Sequence, residues 1–196
     1  GARRGAKVCG CSRKAASSVT RAPARPAEAS SAGSTDHAAE AAFSPSSIAA
    51  DLPRLTYTEK VFAESLRMFP PAWVMARRVV EPLQLGEHTL PVNCLVAISP
   101  WVVHHDPRLF PAPHRFDPER FSPEAKAARH RFAYFPFSAG PRNCIGEGFA
   151  WAEGVLVLAT LAQRWKFQLA AGQRVEPQPL LTMRPKYGMR MQVIPR

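Results

Sequence analysis

The stretch Phe137-Ser138-Ala139-Gly140-Pro141-Arg142-Asn143-Cys144-Ile145-Gly146 leads directly into a strongly helical run, Ile145–Trp165. A cysteine just before a helix N-terminus meets free amides and the positive end of the helix dipole, which favour a thiolate over a thiol. Arg142, two residues earlier, adds a positive charge. Gly140 and Gly146 let the backbone approach a large flat ligand closely. Phe137 can shield the sulfur from water. A soft anionic ligand in a dry, amide-lined pocket suits iron. The commonest fate of a lone cysteine is a buried inert thiol. That plainer reading leaves the surrounding Phe-x-x-Gly-x-Arg-x-Cys-x-Gly spacing without a reason.

Working outward, the helical run carries the apolar block Val155–Ala162, while Glu147, Glu153 and Arg164 mark it as a buried helix of a soluble protein. Upstream, Thr56 and Glu59 have capping-box spacing and predict a helix start. Phe62, Leu66 and Phe69 at i, i+4, i+7 form its buried stripe, and Pro70-Pro71 ends it. Trp73–Val80 and Leu83–Leu90 read as strands, with Gly86 near a bend. Leu95–Val103 reads as a strand leading into a helical turn. Residues 106–136 hold six Pro and little periodicity. They predict a long coil held by packing, a length of irregular chain that points to function. After Gly172, strands near Leu180–Met183 and Met189–Ile194 close the chain.

Residues 1–50 differ from the rest. They contain 15 Ala and 9 Ser and no Leu, Met, Trp or Tyr, too little apolar surface to offset the entropy of ordering them. The expectation is a disordered Ala/Ser/Arg-rich segment, with at most a short helix near Asp36–Ala42, followed by one folded portion, 51–196. Cys9-Gly-Cys11 has the wrong spacing for a metal knuckle, and Cys94 reads as buried core. No run of 18 uncharged apolar residues and no apolar signal segment is present, so no membrane span and a cytoplasmic location are expected. The net charge of +11 admits an acidic partner. The basic residues are scattered, with no zinc-finger, RNA-recognition or helix-turn-helix pattern, so no nucleic acid is expected.

The Phe137–Gly146 stretch resembles the haem-ligand loop of the cytochrome P450 superfamily and matches it at every fixed position. Glu64-Ser65-Leu66-Arg67 is similar to that family's Glu-x-x-Arg helix motif, and Asp117-Pro118-Glu119-Arg120-Phe121 is similar to the downstream motif whose Arg completes a Glu–Arg–Arg cluster. The resemblance implies that Cys144 is the catalytic axial thiolate and iron ligand of haem b (iron protoporphyrin IX). It implies that Arg142 pairs with a propionate, and that Phe137, Gly140, Ile145 and Gly146 shape the loop. Arg77, with Arg78 as its competitor, and His104 stand where many members contact propionates. A packing or turn pair is the alternative for His104-His105. Ala72, Trp73, Val74 and Met75, with Leu181 and Thr182, correspond to substrate-pocket segments, although core packing would look the same. Glu64, Arg67 and Arg120 are expected within salt-bridge reach.

The implied fold is mainly α with small β sheets (α+β), the C-terminal part of the P450 fold. The implied activity is insertion of one oxygen atom from dioxygen into a small apolar substrate, with electrons from a ferredoxin or reductase. Lys126, Arg129, Arg131 and Arg142 can attract such an acidic donor, or form an ordinary solvated basic face. The distal helix with its acid–Thr pair is not matched, and Ala32-Gly33-Ser34-Thr35 only faintly echoes it. The alternative is a non-catalytic, truncated remnant of such an enzyme.

Overall fold

A computed structural model describes residues 48–196. The expectations for residues 1–47, including the Asp36–Ala42 helix, the Cys9/Cys11 pair and the Thr35 echo, lie outside the described residues. The described chain belongs to two units, one formed by Ala76–Val96 and the other by the residues on either side of it.

In the larger unit, a short helix α1 (Ile48–Asp51) leads through a 3-10 turn (Leu52–Arg54) into helix α2 (Thr56–Met68). The helix begins where the sequence placed it, but the capping box is not made. Leu55 is the N-cap, and the Glu59 N–H donates to the Leu55 carbonyl at 2.9 Å. The Glu59 carboxylate instead receives Lys126 Nζ at 3.1 Å. The Phe69 N–H closes the last turn on the Ser65 carbonyl before Pro70 stops the helix. The buried face also differs from the predicted stripe. It holds Ala63, Glu64, Leu66 and Arg67, while Phe62 is half-buried and Phe69 exposed.

Helix α3 (Pro100–His104) starts at Ser99, whose Oγ accepts the Val102 N–H and donates to the Trp73 carbonyl at 2.7 Å. The expected coil after it is interrupted by a 3-10 turn, Pro118–Phe121, and helix α4 (Pro123–Ala128). Each begins with Pro just inside and a side-chain cap just outside, Asp117 Oδ1 and Ser122 Oγ respectively. Helix α5 (Glu147–Arg164) packs against α2 around Leu55, Val155 and Ala159, with Leu52, Phe62, Trp151 and Leu156 around them. The expectation of a wholly buried α5 is corrected: only Val155 and Ala159 are buried, and Phe149, Val157 and Leu161 are exposed. One face meets α2, and the apolar residues on the other faces remain in solvent.

Strand β5 (Trp165–Leu169) continues α5 without a loop and pairs antiparallel with β8 (Met191–Pro195), Trp165 opposite Pro195. The expected helix runs to Trp165, which the structure gives to the strand, and Trp165, Phe167 and Leu169 alternate with Lys166 and Gln168, a period-2 pattern. Strands β6 (Pro177–Pro179) and β7 (Met183–Pro185) form a second antiparallel pair. The predicted strand Leu180–Met183 is therefore mostly the connection between them. In the smaller unit, the expected β run divides into β2 (Leu83–Leu85) and β3 (His88–Leu90), one hairpin turning at Gly86 with φ +59°, near the expected bend. Strands β1 (Met75–Arg78) and β4 (Leu95–Ile98) also pair. Cys94, expected in a core, is half-buried there.

The α2–α5 contact sets a size limit. A Cβ added at Gly154 would overlap the Phe62 ring, which is itself edge-on to Trp151 at 5.1 Å. Gly154→Ala should therefore lower thermal stability, because overpacking costs about 1–3 kcal/mol and exceeds the helix-propensity gain of about 1 kcal/mol. Phe62→Leu in the same background should recover part of the loss. An unchanged or raised melting temperature for Gly154→Ala alone would contradict this packing.

Candidate functional site

Glu64 and Arg67 lie one turn apart on α2, and neither side chain has any solvent exposure. Their carboxylate and guanidinium join in two bonds, Nε to Oε2 at 2.6 Å and Nη2 to Oε1 at 2.9 Å. Two opposite charges removed from water persist only when the remaining donors and acceptors are also filled. They are. Arg67 Nη1 donates to the His104 carbonyl at 2.8 Å and Nη2 to the Pro113 carbonyl at 2.8 Å. Glu64 Oε1 accepts the Asp117 N–H at 2.9 Å. Arg120 Nε stands 3.5 Å from the same oxygen, an ion pair without a hydrogen bond, while its Nη2 donates to the Ala112 carbonyl. Glu64, Arg67 and Arg120 thus meet, and together they satisfy the backbone of the irregular chain between α3 and the 3-10 turn.

A layer of rings continues from this cluster towards the cysteine loop. His104 is fully buried, stacks on Tyr134 at 5.2 Å and meets Phe110 and Phe135 edge-on. The Tyr134 hydroxyl donates to the Ala63 carbonyl of α2 at 3.0 Å, and burial pushes its phenol up from the ordinary range. Arg129 lies over Phe110 and Phe121 at 4.8 and 4.7 Å and donates to the Arg120 carbonyl.

The loop itself turns twice through left-handed backbone, at Ser138 (φ +72°) and Gly140 (φ +73°). It passes through a 3-10 turn, Gly140–Arg142. The Cys144 N–H donates to the Phe137 carbonyl at 2.9 Å, which folds the loop back so that Cys144 stands three residues before Glu147, the first residue of α5. Among the described residues, the N–H groups of Ile145 and Gly146 have no backbone acceptor. The Cys144 thiol is exposed, Ile145 is fully exposed, and a Cβ at Gly146 would meet only Sγ, at 3.8 Å. Phe137 is half-buried, its ring 6.2 Å from Trp151. Among the described residues no three His, Cys, Asp or Glu are grouped to hold a bare metal ion. A metal ligated by Cys144 must therefore bring its other ligands with it, as a porphyrin does. One open sulfur on an uncrowded loop fits that group.

The cytochrome P450 family model matches residues 40–192. The chain belongs to the cytochrome P450 family. It is 46% identical over 134 residues to a cyclooctatin synthase of Streptomyces melanosporofaciens, covering 68% of this chain and 29% of that protein. It is 42% identical to cytochrome P450 4c3 of Drosophila melanogaster, covering 72% and 27%. A retinoic acid-bound cyanobacterial P450, CYP120A1, superposes with a TM-score of 0.72 at 34% identity, covering 76% of this chain and 34% of that one. The chain therefore spans less than a third of the length of these curated relatives, and its mixed helices and small antiparallel sheets are part of the P450 fold.

Two sequence expectations for this P450 chain change. His104 stands as the packing alternative has it: its side chain has no exposed surface, and its Nε2 accepts the Phe135 N–H at 3.1 Å. Of the four basic residues considered for an electron donor, Arg129 is half-buried between rings, while Arg131, Arg142 and Lys126, which pairs with Glu59, are exposed. Arg77 and Arg78 are exposed and belong to the smaller unit, where Arg77 donates to the Ala76 carbonyl. The two candidate pocket segments adjoin: Trp73 Nε1 donates to the Leu180 carbonyl at 2.7 Å and the Met183 N–H to the Pro71 carbonyl at 2.8 Å. Ala72, Val74, Leu181 and Thr182 are exposed there, with Trp73 and Met75 partly covered.

The cluster and the ring layer each make a prediction. Glu64→Ala leaves a buried guanidinium unpaired and should cost about 3–5 kcal/mol in urea unfolding. A loss under about 1 kcal/mol would show that the pair is not structural. Burial, aided by the Arg67 charge, lowers the His104 pKa from 6.5 to about 3. Between these values the unfolded chain holds a proton that the folded chain does not. Its contribution is therefore complete above pH 6.5 and is lost as pH falls towards 3, by up to about 1.4 kcal/mol per pH unit. The wild-type stability profile should slope more steeply than that of His104→Phe between pH 6.5 and 5, and parallel profiles would refute the buried neutral imidazole.

Proposed function

We propose that this chain carries the thiolate side of a haem b site and that Cys144 is the iron ligand of a monooxygenase. The observation that supports it most is the exposed Cys144 thiol, held by its own N–H at the foot of α5 with uncrowded backbone on its C-terminal side. Bound there, haem with a thiolate ligand supplies the activation of dioxygen, one atom going to a substrate C–H or C=C bond and the other leaving as water, with two electrons and two protons consumed.

The protein's own residues bind and orient. Cys144 contributes the sulfur, and the free N–H groups of Ile145 and Gly146 lie beside it in sequence to stabilise negative charge. Phe137, whose carbonyl holds the Cys144 N–H, is assigned as the shield of the sulfur. Arg142 offers a guanidinium to a propionate, an interaction suited to its planar donor fork. Gly140 and Gly146 keep side chains away from a flat ligand, and Ile145 offers it an apolar contact. Arg77 is assigned as a second propionate partner, with Arg78 as its competitor. The apolar segments Ala72–Met75 and Leu181–Thr182 suit a small apolar substrate. Arg131 and Arg142 suit the acidic surface of a ferredoxin or reductase. Among the described residues no helix is long and apolar enough to cross a membrane.

The exposure of Phe149, Val157 and Leu161 on α5 favours a second reading, a non-catalytic remnant of such an enzyme. Haem titration of the purified 196-residue chain tests the ligand assignment. The reduced carbon monoxide adduct should show a strongly red-shifted, thiolate-type Soret band, absent in Cys144→Ala. Arg142→Ala should weaken haem uptake about tenfold or more, the scale of one charged hydrogen bond. An identical spectrum for Cys144→Ala would remove Cys144 from the site. A thiolate band without product formation on adding an electron donor would leave the second reading.

A further inference from the structure

His104 is the wholly buried imidazole of the described residues. We propose that His104 is a positioning residue for the cysteine loop: anchored to α2 through its carbonyl, it accepts the Phe135 N–H at Nε2 and thereby sets where the chain delivers Cys144. Each link is a hydrogen bond. Arg67 Nη1 holds the His104 carbonyl at 2.8 Å, and His104 Nε2 receives the Phe135 N–H at 3.1 Å. The Phe135 carbonyl receives the Ser138 N–H at 3.1 Å, and the Phe137 carbonyl receives the Cys144 N–H at 2.9 Å. The Glu64–Arg67 pair is thus connected to the cysteine through one side chain.

The chemistry requires an acceptor at Nε2. An imidazole that accepts there carries its proton on Nδ1, and the Nδ1 of His104 is buried without a hydrogen-bond partner. That orphaned donor is a cost, and a phenyl ring would stack on Tyr134 without it. What phenylalanine cannot supply is the acceptor for a buried backbone N–H. A protonated ring would set donor against donor, and burial keeps the ring neutral. Histidine at this place is therefore explained by the loop it holds rather than by packing.

The inference rests on the haem-ligand reading of Cys144 only for what the held loop is for. Its test needs no cofactor. In the isotopically labelled wild-type chain, NMR should show a trans-hydrogen-bond nitrogen–nitrogen coupling between Phe135 N and His104 Nε2, with the neutral Nδ1–H tautomer. Native-state hydrogen exchange then separates positioning from bulk stability. In His104→Phe, the Phe135 and Cys144 amides should exchange about tenfold faster or more, the loss of one buried bond, while the Leu66 amide of α2 keeps its rate. His104→Gln, which restores an acceptor, should return both rates to within about threefold of wild type. Equal acceleration of all three amides, or no acceleration at Cys144, overturns the proposal. So does a wild-type chain without the coupling, whether or not a variant folds. On haem loading, His104→Phe should lose thiolate-type Soret intensity that His104→Gln keeps. Failure of wild type itself to bind haem would count against the function and leave the exchange result standing.

Discussion

The buried carboxylate–guanidinium pair of Glu64 and Arg67 is the constraint on which the described fold depends. A guanidinium offers five N–H donors in a rigid plane. Arg67 uses two directions on Glu64 and the others on the carbonyls of His104 and Pro113. An irregular segment inside a protein has backbone groups that no helix or sheet satisfies. Here charged side chains from α2 and the 3-10 turn do so, which is why a proline-rich stretch with two very short helices can hold one conformation. The pair gains little as an isolated salt bridge. Its value lies in the geometry it imposes on chain that has no geometry of its own.

From that cluster outward, order passes to the site through rings and single hydrogen bonds. Tyr134 and His104 sit between α2 and the loop, Arg129 closes over Phe110 and Phe121, and the loop's own N–H to carbonyl bond places Cys144 before α5. The arrangement leaves the sulfur open while Glu64, Arg67 and His104 are buried. A ligand site needs this division: reactive atoms accessible, supporting atoms packed.

Charge is distributed by the same logic. A net charge of +11 is a sum over the whole chain, but several of these cations are committed internally. Arg67 is fully buried, Arg120 and Arg129 grip carbonyls, and Lys60 reaches Glu119. Lys126, Arg131 and Arg142 remain exposed. A count of basic residues overstates that surface because it cannot separate cations that hold the fold from cations that face solvent.

The local sequence determined the features whose causes are local. The helix periods of α2 and α5, the proline stop at Pro70, the hairpin glycine at Gly86 and the spacing around Cys144 are all set within a few residues, and they were legible. The Glu64/Arg67 spacing placed both charges on one helix face before any partner was known. The alternation in Trp165–Leu169 was equally local and was masked by the apolar helix that runs into it. What the tertiary structure alone decided is where burial falls. It covered Glu64 and Arg67 in place of Phe69, left most of α5 open, and turned His104 from a supposed ligand contact into a buried acceptor. Burial depends on contacts between residues far apart in the chain, such as His104 with Phe135 or Arg67 with Pro113. No local pattern of residues encodes which distant backbone group a side chain will meet.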